Sequence, residues 1–409
     1  MKEENIIGSF QLMKSLNKSL ILNTIRIHGA ISRAEIAKKT KLTPPTVTNI
    51  VNELLKEGLV KEGQPGASNG GRKPILLKIN GKNFFVMAVD ISSKKIRFAI
   101  TDLDAHILLY KTVNMKDPIT NELFLQTIIK QIYFMLDEAK VDLQKFVGIG
   151  IGMHGIIDAK AGISIYAPGL QLRHIPLKAE LENEFKLPVK LENDVRAMAL
   201  GESWFGSGKG INSLVCLNVG NGVGAGFIVD NKIFRGYDGL AGEIGHMFIG
   251  VKGPRCSCGR YGCLESIVGS EGLKYRALNK ILLGYKTKII EMAEGNLENV
   301  NGAMIYEAAL EGDSLAINIL TETGRYLGLA ITNIIHLINP KRIVIGGGLA
   351  KAKDFILAPI REVIEERSLT EQAKKTEIAL SEFGEKATVI GAAALVLSEL
   401  FTVQYDSVS

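Results

Sequence analysis

The chain has 409 residues, 46% hydrophobic and 22% charged, which suits a globular protein of two or three domains. No apolar run reaches the roughly 20 residues that span a bilayer, and the polar start Met1-Lys2-Glu3-Glu4-Asn5 has no signal-peptide pattern. A membrane-spanning or exported protein is therefore not expected, and the chain reads as cytoplasmic. The net charge of +6 is unevenly placed: residues 1–80 hold 13 Lys+Arg and 6 Asp+Glu, a balance of +7, and the rest holds 36 and 37, a balance of −1. A local excess of cations suits a polyanion, although a solvated basic face carries the same charge.

A helical period runs from Leu16 through Leu20, Ile21, Thr24 and Ile25 to His28, and Gly29 stops it. Ser32-Arg33-Ala34-Glu35 has the form of a capping box and opens a short helix to Thr40. Thr43 caps a third helix with Pro44 at its first position, where the missing N–H costs nothing. Val47, Ile50, Val51, Leu54 and Leu55 line one face of it, and Gly58 ends it. Residues 59–62 and 74–79 read as strands around a glycine-rich hairpin. Three short helices and a basic hairpin predict a winged helix-turn-helix over residues 1–80, its third helix in the major groove. Pro45, Thr46, Thr48, Asn49 and Asn52 face outward there and offer hydroxyls and amides to bases or phosphates. Arg72 and Lys73 form a basic finger suited to the minor groove. A protein-binding or dimerisation bundle shares the helix pattern; the basic wing and the charge excess favour operator DNA.

From Phe84 the pattern changes. Residues 84–91 form an apolar strand carrying Asp90, and residues 96–101 and 107–113 continue as a meander. A helix is expected over 121–139 and a buried strand over 147–151. The same order returns with strands over 213–218, 225–229 and 232–235, then helices, then a strand over 343–345 before Gly346-Gly347-Gly348. Two halves of like order predict a duplicated α/β core over residues 81–409, with a ligand cleft between two lobes. Gly152-Met153-His154-Gly155 is a close-approach loop after a strand. Glu192-Asn193-Asp194 lies between a short strand and a helix beginning near Val195, on which Ala197, Ala199 and Gly201 permit close packing. Asp194 could serve as a general base toward a hydroxyl or as an ordinary helix cap, and its position alone favours the cap. The turn 220–226 and the run 346–348 suit phosphate, but such turns also join tight strands.

Three of the four cysteines fall in one stretch, Cys256-Ser257-Cys258-Gly259-Arg260-Tyr261-Gly262-Cys263, with His246 ahead of them. Three thiolates and one imidazole fill the tetrahedral shell of Zn2+, so His246, Cys256, Cys258 and Cys263 are the expected ligands. A disulfide would leave an odd cysteine and does not suit a reducing compartment. Four protein ligands leave no open position, so the zinc is structural. Glu243 and Glu265 flank it.

Leu240-Ala241-Gly242-Glu243-Ile244-Gly245-His246 with Cys256-x-Cys258-Gly-x-x-Gly-Cys263-x-Glu265 closely resembles the signature of the ROK family of bacterial sugar-responsive repressors and sugar kinases. The resemblance extends to Glu192-Asn193-Asp194, the 220–226 turn and the 346–348 run. It implies a two-lobed actin/hexokinase-like, ribonuclease H-like ROK domain with a structural zinc loop. It also implies that Asn193, Asp194, Glu243, His246 and Glu265 contact sugar hydroxyls, which carboxylates accept in charge-assisted bonds. The helices in front, Ile31-Ser32-Arg33-Ala34-Glu35-Ile36-Ala37, and the wing Gly70-Gly71-Arg72-Lys73-Pro74 look like the xylose-repressor branch. Kinase members carry Asp-x-Gly-Gly-Thr after the first strand, and the residue matching Asp194 deprotonates the sugar. Here the loop is Asp90-Ile91-Ser92-Ser93-Lys94, whose side chains obstruct the backbone approach that glycine permits.

The leading expectation is a repressor, not an enzyme, released from its operator by a monosaccharide, xylose first and glucose second. Lobe closure in a homodimer or homotetramer would relay the signal. The alternatives are an ATP-dependent sugar kinase and a repressor released by a phosphotransferase-system protein. Arg72→Ala should weaken operator binding by about 1–3 kcal/mol, mostly at A·T positions flanking the half-sites, in a salt-controlled titration.

Overall fold

The computed structural model describes residues 3–66, 73–115, 119–250 and 253–401, with side chains from Met13 onward. It divides into two units, residues 1–151, 159–191 and 392–409 in one, and 152–158 and 192–391 in the other.

The first unit begins with the helix Glu3–His28, whose Ile21, Leu22 and Ile25 are buried. The capping box forms as read. Ser32 Oγ accepts from Glu35 N at 3.2 Å, and Glu35 Oε2 accepts from Ser32 N at 3.0 Å, opening the helix Arg33–Thr40. The third helix, Pro44–Lys56, is capped by Thr43 and buries Val47, Ile50, Val51 and Leu54. Each such side chain contributes about 1.5–3 kcal/mol on leaving water. Val60–Pro65 pairs antiparallel with Ile75–Ile79. A two-residue strand that the sequence did not suggest, Ile31–Ser32, adds to the other edge of Ile75–Ile79. The unit is a winged helix-turn-helix followed by an α/β sheet.

That sheet has the order Val189–Asn193, Phe146–Met153, Phe85–Ile91, Lys95–Asp102, Ile107–Asn114. Its first three strands in sequence form an antiparallel meander. The helix Asn121–Ala139 buries Phe124, Ile128, Ile132 and Met135, the one-sided stripe its period predicts.

The second unit repeats the plan. Its sheet runs Glu377–Leu380, Arg342–Gly346, Leu214–Val219, Val223–Val229, Lys232–Phe234. Again the first strand is central, with its antiparallel hairpin partners to one side and two later strands to the other. The later strands pair parallel, which requires crossover helices. Ser314–Ile338 and Asp354–Arg367 supply much of the packed core. Two sheets of one strand order make the body a duplicated, actin/hexokinase-like α/β fold. Among the described residues no helix is long and apolar enough to cross a membrane.

Within this unit the helix Asp194–Phe205 sits unusually close to its neighbours. A Cβ on Gly391 would lie 2.0 Å from Ala197 O, and one on Gly226 would lie 2.7 Å from Val195 O. Backbone cannot retreat cheaply, so these positions admit only glycine. Gly391→Ala should cost about 2–4 kcal/mol and lower Tm by about 5 °C or more in a thermal melt.

Candidate functional site

On the third helix Pro45, Thr48, Asn49 and Asn52 are exposed and Thr46 is half-buried. Thr46 Oγ1 lies 2.9 Å from Thr43 Oγ1, and Thr48 Oγ1 donates to Pro44 O at 2.9 Å, so both hydroxyls already have local partners. The amides of Asn49 and Asn52 make no hydrogen bond among the described residues, which leaves both edges for a ligand. Lys73 is exposed at the foot of the hairpin, and Arg72 lies outside the described residues.

The four expected metal ligands converge. Their donor atoms all lie within 4.8 Å of one another. His246 Nδ1 is 3.6 Å from Cys256 Sγ, and Cys258 Sγ is 3.7 Å from Cys263 Sγ. A tetrahedral ion with thiolate bonds of about 2.3 Å and an imidazole bond of about 2.05 Å has S···S edges of about 3.8 Å and N···S edges of about 3.6 Å. The donor set and its spacing therefore fit a four-coordinate metal ion with no vacant position. His246 turns Nδ1 toward the sulfurs, leaving Nε2 on the other side of the ring. Burial raises the Cys256 thiol and pushes Cys263 up to about 12, while the Arg260 N–H lowers Cys258. Cys263 also pairs with Phe248 in a backbone bridge, and Ile249 N donates to Gly262 O at 2.9 Å, which closes the loop.

Glu265 ties that loop to the glycine-rich hairpin. Its Oε1 accepts from Ser257 Oγ at 2.8 Å and its Oε2 from Val223 N at 3.1 Å. The hairpin turn 220–222 is thus anchored by a carboxylate two residues beyond Cys263. Glu243 is exposed just ahead of the 3-10 turn Ile244–His246. Gly242 precedes it at φ +103°, where a Cβ would meet Ala225 O at 1.9 Å.

The two readings of Asp194 are separated by one residue. The cap of Asp194–Phe205 is Asn193, whose Oδ1 accepts from Val195 N at 3.0 Å and Arg196 N at 3.2 Å, and whose Nδ2 donates to Gly155 O at 3.3 Å. Both ends of the Asn193 amide therefore bond backbone groups, of the helix start and of Gly155. Asp194 is left in the first helical turn, with Oδ1 accepting from Val195 N at 2.9 Å. Burial pushes its carboxyl up, opposed first by the charge of His154. Asp194 and His154 form a partly shielded acid–imidazole pair suited to holding a hydroxyl.

Sequence reasoning missed a buried ion-pair cluster beside them. Glu192 is 0% exposed, and its Oε1 accepts from Arg196 Nε at 2.8 Å and its Oε2 from Arg235 Nε at 2.6 Å. Arg196 Nη1 donates to Gly239 O at 2.7 Å and Ala241 O at 3.4 Å. Glu192 and Arg196 stand four apart in sequence, but across a strand–helix junction, so no helical pairing rule announces them.

Asp90 is not free to meet a phosphate-bound cation. Arg97, opposite it in the antiparallel register, donates from Nη1 to Asp90 Oδ2 at 2.8 Å. Ser92 N and Oγ both bond Lys95 O, closing the turn on itself. Gly346-Gly347-Gly348 follows its strand directly, with Gly347 at φ +81° against Val219 O.

A winged helix joined to a duplicated actin/hexokinase-like body with carboxylates around a Cys3His loop defines a ligand-responsive DNA-binding regulator. A family model described as the ROK family matches residues 86–399, and one described as the MarR family matches residues 14–63. The chain belongs to the ROK family. The xylose repressor of Caldicellulosiruptor bescii is 33% identical over 396 residues, 97% of this chain and 99% of that protein. The DNA-binding transcriptional dual regulator NagC of Escherichia coli is 32% identical, over 95% of this chain and 94% of its own. The crystal structure of a ROK family transcriptional regulator, a homolog of the Escherichia coli MLC protein, matches with a TM-score of 0.85 and 28% identity, covering 95% of this chain and 97% of that one. A ROK family glucokinase from Streptomyces griseus, solved with glucose and AMPPNP, matches with a TM-score of 0.67 and 31% identity, covering 76% of this chain and 98% of that one. The full-length likeness places the chain among the sugar-responsive transcriptional repressors of the family rather than its kinases.

Metal binding must expel protons from Cys256 and Cys263, whose thiols are raised above the ordinary range. Affinity is therefore greatest at high pH and falls with acidification. With Zn2+ as probe, a chelator competition should show a loss of about tenfold or more per pH unit between pH 8 and 6.

Proposed function

We propose that residues 1–80 bind operator DNA as a winged helix and that a monosaccharide bound in residues 81–409 releases it. Asp194 is the observation that carries the sugar reading. It begins a helix already capped by Asn193, lies beside His154, and has burial raising its carboxyl. Such a group accepts a sugar hydroxyl strongly, because the bond is charge-assisted and shielded from water. Asn193, which also caps the helix, Glu243, Glu265 and the outer nitrogen of His246 complete the proposed set. Relatives named xylose repressors make xylose the first sugar to test, with glucose second.

The Cys3His set is proposed to hold a structural Zn2+ through His246, Cys256, Cys258 and Cys263. Zinc suits three thiolates and one imidazole, needs no fifth ligand, and fixes the loop that carries His246 and Glu265. Its chemistry here is Lewis-acid cross-linking of that loop. The regulator is proposed to act in the cytoplasm, where its operator lies, as a homodimer or homotetramer whose symmetry the operator repeats. Sugar response requires that the ligand bind the DNA-released state more tightly than the DNA-bound state.

Asp194 also suits a kinase base, but the Asp90–Arg97 ion pair and the side chains of Ser92 and Ser93 disfavour phosphate binding at the first loop. Fluorescence anisotropy on the chain's own upstream region, with purified protein, xylose and glucose, tests the proposal. Sugar should release wild type without any phosphotransferase-system protein. Asp194→Asn should keep operator affinity within about threefold and lose release. Sugar-dependent ADP production abolished by Asp194→Asn would establish the kinase instead.

A further inference from the structure

The segment 235–243 has no regular secondary structure, contains Gly236, Gly239 and Gly242, and leaves Tyr237 and Leu240 exposed. Little apolar burial holds it. Its end nevertheless carries Glu243 and enters the turn to His246, so its placement decides where that carboxylate stands. Its restraints are polar. Ala241 N donates to Arg235 O at 3.0 Å, Ala225 N donates to Gly242 O at 2.8 Å, and Arg196 donates to the carbonyls of Gly239 and Ala241.

Arg196 is itself aimed by Glu192. The carboxylate takes Arg196 Nε on one oxygen and Arg235 Nε on the other, so one buried charge grips the helix and the start of the segment together. A fully buried carboxylate and an arginine 3% exposed are costly to dehydrate, and apolar side chains of like size would stabilise a core as well. What apolar side chains lack is the planar fork, which spans a carboxylate and two carbonyls at fixed angles. The cluster therefore suits orientation better than stability.

We propose that Glu192, Arg196 and Arg235 are positioning residues that lock the segment 235–243 so that Glu243 meets the sugar together with Asp194. This rests on the sugar reading above. Arg196 fixes the distal carbonyls and Arg235, 46% exposed in its side chain, fixes the proximal end. The lock is separate from the metal loop, whose donors begin at His246.

The test uses the full-length, metal-loaded protein and two variants chosen to fold. Arg196→Lys keeps a cation beside Glu192 but cannot span carboxylate and carbonyls; Arg235→Ala removes a half-exposed partner. Hydrogen exchange of residues 236–243 should rise about tenfold in each, with exchange of Asp194–Phe205 and metal content unchanged. Titration calorimetry with xylose and glucose should show the Kd of the bound sugar weakened about tenfold, with operator affinity retained. Unchanged exchange in the segment would overturn the lock, whatever the sugar result. A loosened segment with unchanged sugar Kd would overturn the positioning role. If wild type bound neither sugar, the inducer assignment would fall while the exchange data still decided the lock.

Discussion

Close backbone approach around the helix Asp194–Phe205 is the constraint on which the rest of the second unit depends. Gly226 lets the strand Val223–Val229 press against Val195 and Arg196, and Gly201 and Gly391 let the helix Ala387–Phe401 do the same from another side. Gly152 admits Asp194 Cα and Ala197 Cβ at 3.6 and 3.4 Å from where its own Cβ would stand. Dense packing without side chains leaves the helix no slack, because interiors relax only slightly around an intruding atom. The N-terminal turn is fixed in consequence, and with it the cap at Asn193 and the carboxyl of Asp194.

Polar groups take over where that packing ends. The segment 235–243 and the loop around Glu265 are tied in place through polar and charged groups. Glu265 joins the glycine-rich hairpin to the Cys3His loop through Val223 N and Ser257 Oγ. Glu192 joins the helix to the segment before Glu243. Each is a single carboxylate with both oxygens engaged, and that arrangement makes burial of a charge tolerable.

The first sheet shows how a kinase-like plan serves a regulator. Its strand order repeats that of the second sheet, so the architecture is intact. The change is local: Asp90 is neutralised by Arg97 across the hairpin, and the following turn is closed by Ser92. A buried acidic group already paired with an arginine has little left for a phosphate-bound cation.

Much of this was legible in the order of residues. The capping box at Ser32, the Pro44 start of the third helix and the apolar faces of Pro44–Lys56 and Asn121–Ala139 are set by neighbours within a few positions. The Cys3His cluster was legible for the same reason: Cys256, Cys258 and Cys263 fall within eight residues, and the structure brings them together with His246. Repetition of strand order revealed the duplication. The cap at Asn193 rather than Asp194 needed coordinates, since either residue type caps a helix. So did the Glu192–Arg235 and Val223–Glu265 contacts, which join positions 43 and 42 apart. The short strand Ile31–Ser32 exists only because Ile75–Ile79 lies beside it. Sequence by itself determined the local elements, the Cys3His cluster and the third helix of the winged fold, because propensity, capping and ligand chemistry act between near neighbours. Only the tertiary structure decided that Glu192 and Glu265 tie loops together while Glu243 stays exposed, because such contacts are made by partners that chain order does not bring together.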